Sequence, residues 1–159
     1  MVAGRTRGSP LLLALGIAWA SPNTLLGLVA GALGLAFGAR VSLRRRDLAL
    51  AFDEFPAIGA RHGALVLGNV ILHTGASLDC DCDTYAHRAG LACEPPVRLC
   101  DHERAHVLQY MVLGPLFLLL YFLCGGISVR NRFERAADRY AASGRGWWPW
   151  SASRRAGSR

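Results

Sequence analysis

The sequence predicts an α+β fold: an N-terminal membrane helix or helical hairpin, a small β-sheet, and an HExxH helix followed by a short apolar helix and a glutamate helix. Three observations carry this. The apolar residues, 52% of a 159-residue chain, concentrate in two blocks, Leu11 to Gly38 and Met111 to Ile127, instead of scattering as the core positions of a soluble fold do. Between the blocks lie short apolar pieces separated by Pro56, Gly59 and Gly63, the pattern of strands. His102-Glu103-Arg104-Ala105-His106 then spells HExxH, which on a helix sets two imidazoles one turn apart with a carboxylate beside them.

The first block has three readings. Leu11 to Ala20 follows a basic start and ends in Ala18-Trp19-Ala20, like a signal peptide with an A-x-A site. Ser21-Pro22-Asn23-Thr24 then resembles a helix start, and the apolar run resumes to Gly38. A single tilted or kinked span and a hairpin turning at Ser21-Pro22-Asn23 are the two retained arrangements. The hairpin is favoured, because arginines flank both ends. Gly27, Gly31 and Gly34 offer a small face for helix contact. The net charge of +7 comes from arginine alone, clustered beside apolar blocks at Arg5, Arg7, Arg40 and Arg44 to Arg46 and again from Arg130 onward. Membrane lipid headgroups suit that placement, and no nucleic-acid-binding motif accompanies it.

Two strands are expected in the middle, Leu48 to Phe52 and Ala64 to Leu72, the second broken by Gly68. The second is a core strand or an edge beside the HExxH helix that takes up substrate backbone. Cys80, Cys82, Cys93 and Cys100 form a cluster open to two disulfides, a second metal or no special role. Cys124 sits in an apolar run as a packing residue.

Val97 to Leu113, after Pro95-Pro96, has no internal Gly or Pro and reads as the HExxH helix. His102 and His106 share one face, and Glu103, about 100° away, is placed to act as general base on a water. A third ligand is needed. Glu134 and Asp138, at i and i+4 on a later helix, supply a metal ligand and a carboxylate that orients a ligand imidazole. His62, His73 and His87 are rival ligands.

HERAH followed by Glu134 and Asp138 resembles the gluzincin metallopeptidases, particularly the minimal gluzincins and the membrane-bound heat-shock and CaaX-type endopeptidases. The phrase HERAHVLQYMVLGPLFLLLYF is also similar to an uncharacterised bacterial membrane-protein family with H-E-x-x-H-x-x-Q-Y and a G-P-L-F turn. The two resemblances cover Asp101 to Ala142. They imply Zn²⁺ at His102, His106 and Glu134, Glu103 as the catalytic residue, Asp138 behind the ligands, and a place in or on a bacterial cell membrane, integral or monotopic.

The spacing sets a condition. A straight helix would carry Glu134 about 42 Å from His106, so either the apolar run crosses the membrane and Glu134 is not a ligand, or, the favoured arrangement, it folds back, with breaks at Gly114-Pro115 and Gly125-Gly126 and a short helix from Pro115 to Leu123. Trp147, Trp148 and Trp150 beside Arg145, Arg154 and Arg155 suit a membrane surface. The chain thus divides into a membrane-anchoring segment (1–46), a zincin-like domain (47–146) and a Trp/Arg-rich tail (147–159). The function expected is a membrane-associated zinc metallopeptidase acting on a peptide or protein substrate. The alternative is a catalytically silent zincin-like membrane protein with a structural or regulatory metal site. Oligomeric state is left open.

Overall fold

The computed structural model describes residues 9–56, 63–91 and 95–151. It is a mixed α+β fold. A long apolar helix, α1 (Pro10–Ala36), is followed by strands β1 (Arg40–Arg44), β2 (Ala49–Asp53), β3 (Ala64–Leu67) and β4 (Val70–His73). Next come β5 (Asp81–Cys82), a short helix α2 (Tyr85–Arg88), β6 (Val97–Arg98), and helices α3 (Leu99–Leu113), α4 (Leu116–Leu123) and α5 (Arg132–Ser143).

The expected hairpin at Ser21-Pro22-Asn23 is absent: α1 runs through Pro22 as one helix of 27 residues. The polar residues that suggested a turn have tertiary partners instead. Asn23 Nδ2 donates to the Gly114 carbonyl at 3.1 Å. Thr24 Oγ1 donates to the Ala20 carbonyl and accepts the Asn69 backbone N–H. Met by the core, they place no demand for a break on the helix, and the N–H missing at Pro22 is a local defect. The helix is long and apolar enough to cross a membrane, a test that a signal sequence near the N-terminus also passes.

The small face of α1 packs on the sheet, not on a second arm. A Cβ at Gly27 would lie 2.7 Å from Val70 Cβ, and one at Gly31 would run into the Phe52 ring. Gly34 meets Phe55 in the same way. The opposite face, including Leu12, Leu25, Leu26, Val29 and Leu33, is exposed.

The sheet has the order β1-β2-β4-β3, with β2 and β4 parallel and the outer pairs antiparallel. Residues 64–72 are therefore not one strand but a hairpin, in which Leu67 pairs with Val70 across Gly68-Asn69. Gly68, at φ +62°, takes the left-handed turn conformation that glycine adopts without strain. A fourth strand, β1, comes from residues that the composition had grouped with the membrane segment. Side chains alternate across the sheet. Phe52, Val70 and Leu72 pack toward α1 with Leu28 and Ala30. Ala49, Ala51, Val66 and Ile71 join the larger core under α3 with Val107 and Tyr110.

The apolar run 111–127 does fold back. The axes of α3 and α4 differ by 116° across Gly114-Pro115. Gly114 sits at φ +54° with its Cα against the Trp19 indole, where a side chain has neither the backbone conformation nor the space. A second reversal at Gly125-Gly126, both at positive φ, leads into α5. Asn131 caps that helix by accepting the Phe133 N–H, while its amide donates to the Gly126 and Tyr121 carbonyls. The described part of the tail packs too: Pro149 is buried and Trp150 meets Phe133 edge to face.

A Gly31→Leu substitution should destabilise the full chain by about 1–3 kcal/mol through overpacking against Phe52, whereas Val29→Leu on the exposed face should shift it by less than about 0.5 kcal/mol. Unfolding midpoints in detergent measure both, and equal midpoints would mean that α1 does not rest on the sheet.

Candidate metal centre

The helix that carries the motif begins directly after β6, with Asp101 in its first turn where a carboxylate favours the N-terminal dipole. Without Gly or Pro until Gly114, it holds His102 and His106 on one buried face. The return of the chain through α4 brings Glu134, in the first turn of α5, against them.

The three ligand atoms converge. His102 Nε2 lies 3.2 Å from His106 Nε2, and Glu134 Oε2 is 3.1 Å from the first and 3.5 Å from the second. A tetrahedral ion with metal–ligand bonds near 2.0–2.1 Å separates neighbouring ligand atoms by about 3.3 Å. The group has that spacing, and among the described residues it is the one cluster of its kind.

Hydrogen bonding decides which imidazole nitrogens face inward. Gln109 Nε2 donates to the Phe133 and Trp147 carbonyls, so its Oε1, 2.8 Å from His106 Nδ1, can only accept. His106 Nδ1 therefore carries a proton and Nε2 presents a lone pair. Behind the other ring, Asp138 Oδ1 lies 3.0 Å from His102 Nδ1. That is hydrogen-bond distance, but the N–H is out of line and both atoms are buried without a partner. A small rotation of the ring, such as a ligand on Nε2 would impose, aligns the pair. Two imidazole lone pairs and a carboxylate oxygen pointing at one another are repulsive unless a cation stands between them.

A proton can fill that place. Burial works against a charged His102, and the Asp138 and Glu134 carboxylates beside it outweigh burial and raise it to about 10. Burial likewise opposes the Glu134 carboxylate, yet the two histidines hold it far below the usual carboxylate range. Tyr121, reaching back from α4, donates to Glu134 Oε1 at 2.5 Å and leaves Oε2 for the metal position. Burial, with the Glu134 charge next to it, pushes the phenol well up, so Tyr121 stays a donor.

Glu103 differs from its neighbours. It is 5% exposed, yet among the described residues no hydrogen bond or ion pair holds its carboxylate, and burial raises its pKa against the lowering effect of the two histidines. It lines a cavity of about 750 Å³ together with His102, His106, Tyr121 and Glu134. Edge strand β3 contributes Ala64, Leu65 and Val66 to the same wall.

Other candidates lie elsewhere. His73 is bound to Asp53 at 2.9 Å, and His87 completes the cap of α2 with Thr84. Neither belongs to the ligand group, and His62 and Cys93 lie outside the described residues. Cys80, Cys82 and Cys100 are free thiols, so three of the four clustered cysteines form no disulfide. Sequence reasoning gave no role to Gln109 or Tyr121. Signals existed for both: an amide three residues after His106 on a helical face, and a phenol in an apolar run whose hydroxyl needed a partner.

Comparison of the chain with protein-family models, with curated proteins and with solved structures finds no match in any of the three.

Gln109→Ala should weaken metal binding about 10- to 100-fold, measured by competition with a chelator; unchanged affinity would mean that Gln109 does not set the His106 tautomer. Because the raised His102 holds a proton at neutral pH and must release it to a metal, affinity should rise with pH until about 10. Titration calorimetry in buffers of different ionisation enthalpy reads the released proton, and buffer-independent heats would contradict it.

Proposed function

We propose that this protein is a membrane-associated zinc metallopeptidase of the gluzincin type, with His102, His106 and Glu134 as ligands and Glu103 as the general base. The unpartnered Glu103 carboxylate on the cavity wall, beside three converging ligand atoms, carries this reading. The Glu103 carboxylate faces the cavity with no hydrogen bond among the described residues, so it is free to take a proton from a molecule held there.

Two nitrogens and one carboxylate oxygen at tetrahedral spacing suit zinc, and three protein ligands leave the open position of a catalytic site. When bound, the ion supplies Lewis-acid polarisation and makes a water acidic near neutral pH. The protein residues do the rest. Gln109 and Asp138 fix the imidazoles, and Tyr121 fixes the unused oxygen of Glu134. Glu103 accepts the proton of the attacking water and passes it to the leaving amine nitrogen; its raised pKa suits a base that must hold that proton between the two transfers. Edge strand β3 offers unpaired backbone groups to an extended peptide along the cavity.

The membrane assignment rests on surfaces. The exposed apolar face of α1 and the exposed Leu116, Leu119, Phe122 and Leu123 of α4 suit lipid, and a helix the length of α4 can dip into one leaflet without crossing. Arg40 and Arg46 are exposed but paired with Glu54 and Asp101, and the exposed Arg45 between them suits anionic headgroups.

Glu103→Gln in the full-length protein should retain stoichiometric zinc and lose about 10²- to 10⁴-fold in cleavage of a degenerate peptide library, read by mass spectrometry. Wild-type protein that binds zinc but cleaves nothing would favour the silent, structural or regulatory site. Cleavage unaffected by the substitution would remove Glu103 as base.

A further inference from the structure

α1 is long enough to cross a bilayer, but the rest of the fold accompanies it along most of its length. At Gly16 it touches Met111 of α3, at Trp19 and Asn23 it touches Gly114, and at Gly27, Gly31 and Gly34 it rests on Val70, Phe52 and Phe55. From Gly16 to Gly34 that is about 27 Å of helix, close to the roughly 30 Å of a hydrocarbon core. Whatever depth α1 takes in a membrane, the sheet and the end of α3 take with it. The charged turn between β1 and β2 is tied to the middle of the helix: Thr24 Oγ1 accepts the Asn69 N–H, and the Asn69 amide donates to the Leu48 carbonyl at 2.8 Å. Arg45, Arg46 and Asp47 directly precede Leu48. Arg46 pairs with Asp101 and Asp47 with Arg44, while Arg45 is exposed with no ion pair among the described residues. Were α1 to cross, this turn would stand level with the bilayer centre, where charged side chains are strongly disfavoured.

The sheet supplies a second observation. Residues directly opposite in an antiparallel pair share one face, so Val41 opposite Phe52, Leu43 opposite Leu50 and Leu65 opposite Leu72 all point to the α1 side. They are 51%, 62% and 53% exposed, so α1 does not cover them. Arg40, Ser42 and Arg44 alternate to the other face. The apolar surface is therefore no band around a lone helix but a broad face. The exposed Leu11, Leu25 and Leu33 of α1 run along its middle, Val41 and Leu43 form one flank, and Leu65 forms the other. No charged residue lies between Ser9 and Arg40. A flat apolar medium fits such a face, and a chain of net charge +7 with the exposed Arg45 at the side of that face fits an anionic one.

Resting on the membrane half of the reading above, we propose that α1 does not cross the bilayer but lies in the plane of one leaflet, and that the α1 face of the sheet rests on the same leaflet. The partner is an anionic lipid surface. α1 enters to the boundary of headgroups and acyl chains, about 5–10 Å deep, and the β1–β2 turn then sits among the headgroups, where Arg45 meets phosphate. The face of the sheet under α3, on the side of His102 and His106, points away from the lipid. Strand β3 marks the boundary, with Leu65 toward lipid and Val66 in the wall of the cavity.

The test uses the full chain on vesicles of phosphatidylcholine with about a quarter phosphatidylglycerol. A fluorescent amino acid introduced at the position of Leu11, Leu25 or Leu33 is quenched by lipids brominated at successive acyl depths. A helix lying flat places the three within about 5 Å of one depth, whereas a crossing helix carries the Leu25 position about 10 Å or more deeper than the others. Protease added outside sealed vesicles should remove an N-terminal and a C-terminal tag from the same molecules. Val41→Asp combined with Leu43→Asp, both exposed and outside α1, should raise the lipid concentration for half-maximal flotation about tenfold. A deep Leu25 position with one tag protected, or flotation unchanged in the double variant, would overturn the flat placement and leave the protein membrane-bound. Wild type that neither floats with vesicles nor is quenched by their lipids overturns the membrane reading as well, and leaves the face to a second copy or another protein.

Discussion

The hydrogen bond from Asn23 to the Gly114 carbonyl joins residues 91 apart in sequence and fixes the point on which the site depends. Gly114 is where the chain leaves the direction of α3, at a positive φ that glycine tolerates and with no side chain to strike Trp19. Had the helix continued straight, Glu134 would lie tens of ångströms from His106. The reversal brings Tyr121 and Glu134 onto the histidines, and the Asn131 network closes the second turn. The middle of the long apolar helix thus braces the bend that brings His102, His106 and Glu134 together.

Electrostatics explains why the cluster around that bend is so fully bonded. Glu103, Glu134, His102 and His106 are all buried, and isolated charges in such a place would be strongly destabilising. Glu134 is answered by two imidazoles and the Tyr121 hydroxyl, and His106 by Gln109. Among the described residues the Glu103 carboxylate has no hydrogen bond, and it faces the cavity. His102 Nδ1 and Asp138 Oδ1, 3.0 Å apart, stay unaligned, and a ligand on His102 Nε2 that turned the ring would align them.

Much of this was legible in local spacing. HExxH on a helix without Gly or Pro, Glu134 and Asp138 at i and i+4, and the two glycine-containing breaks each follow from short-range rules, and the short apolar helix between the breaks follows from them. What escaped depends on partners distant in sequence. Ser21-Pro22-Asn23-Thr24 looks like a turn because its polar groups need partners, and the sequence cannot say that Gly114 and Asn69 supply them. Gly27, Gly31 and Gly34 announce a close approach without saying to what, and the answer is a sheet. The piece 64–72 reads as one strand because its apolar residues run on both sides of Gly68, and only pairing with itself shows the hairpin. Asp53 and His73 are ordinary strand ends until parallel pairing of β2 with β4 sets them side by side.

That parallel pairing also bears on how the two halves of the cavity work together. One wall is α3 and what packs on it, and the other is the sheet, whose opposite face rests on α1 through the glycine stripe. The helix therefore touches both walls: through Asn23 and Gly114 it holds the bend behind His102, His106 and Glu134, and through Gly27 and Gly31 it holds the strands that carry His73 and the β3 edge. Packing this close transmits displacement and does not absorb it. A displacement of α1 would therefore move the wall that bears His102 and His106 and the wall that bears β3 together, and the width of the cavity between them depends on how α1 is seated.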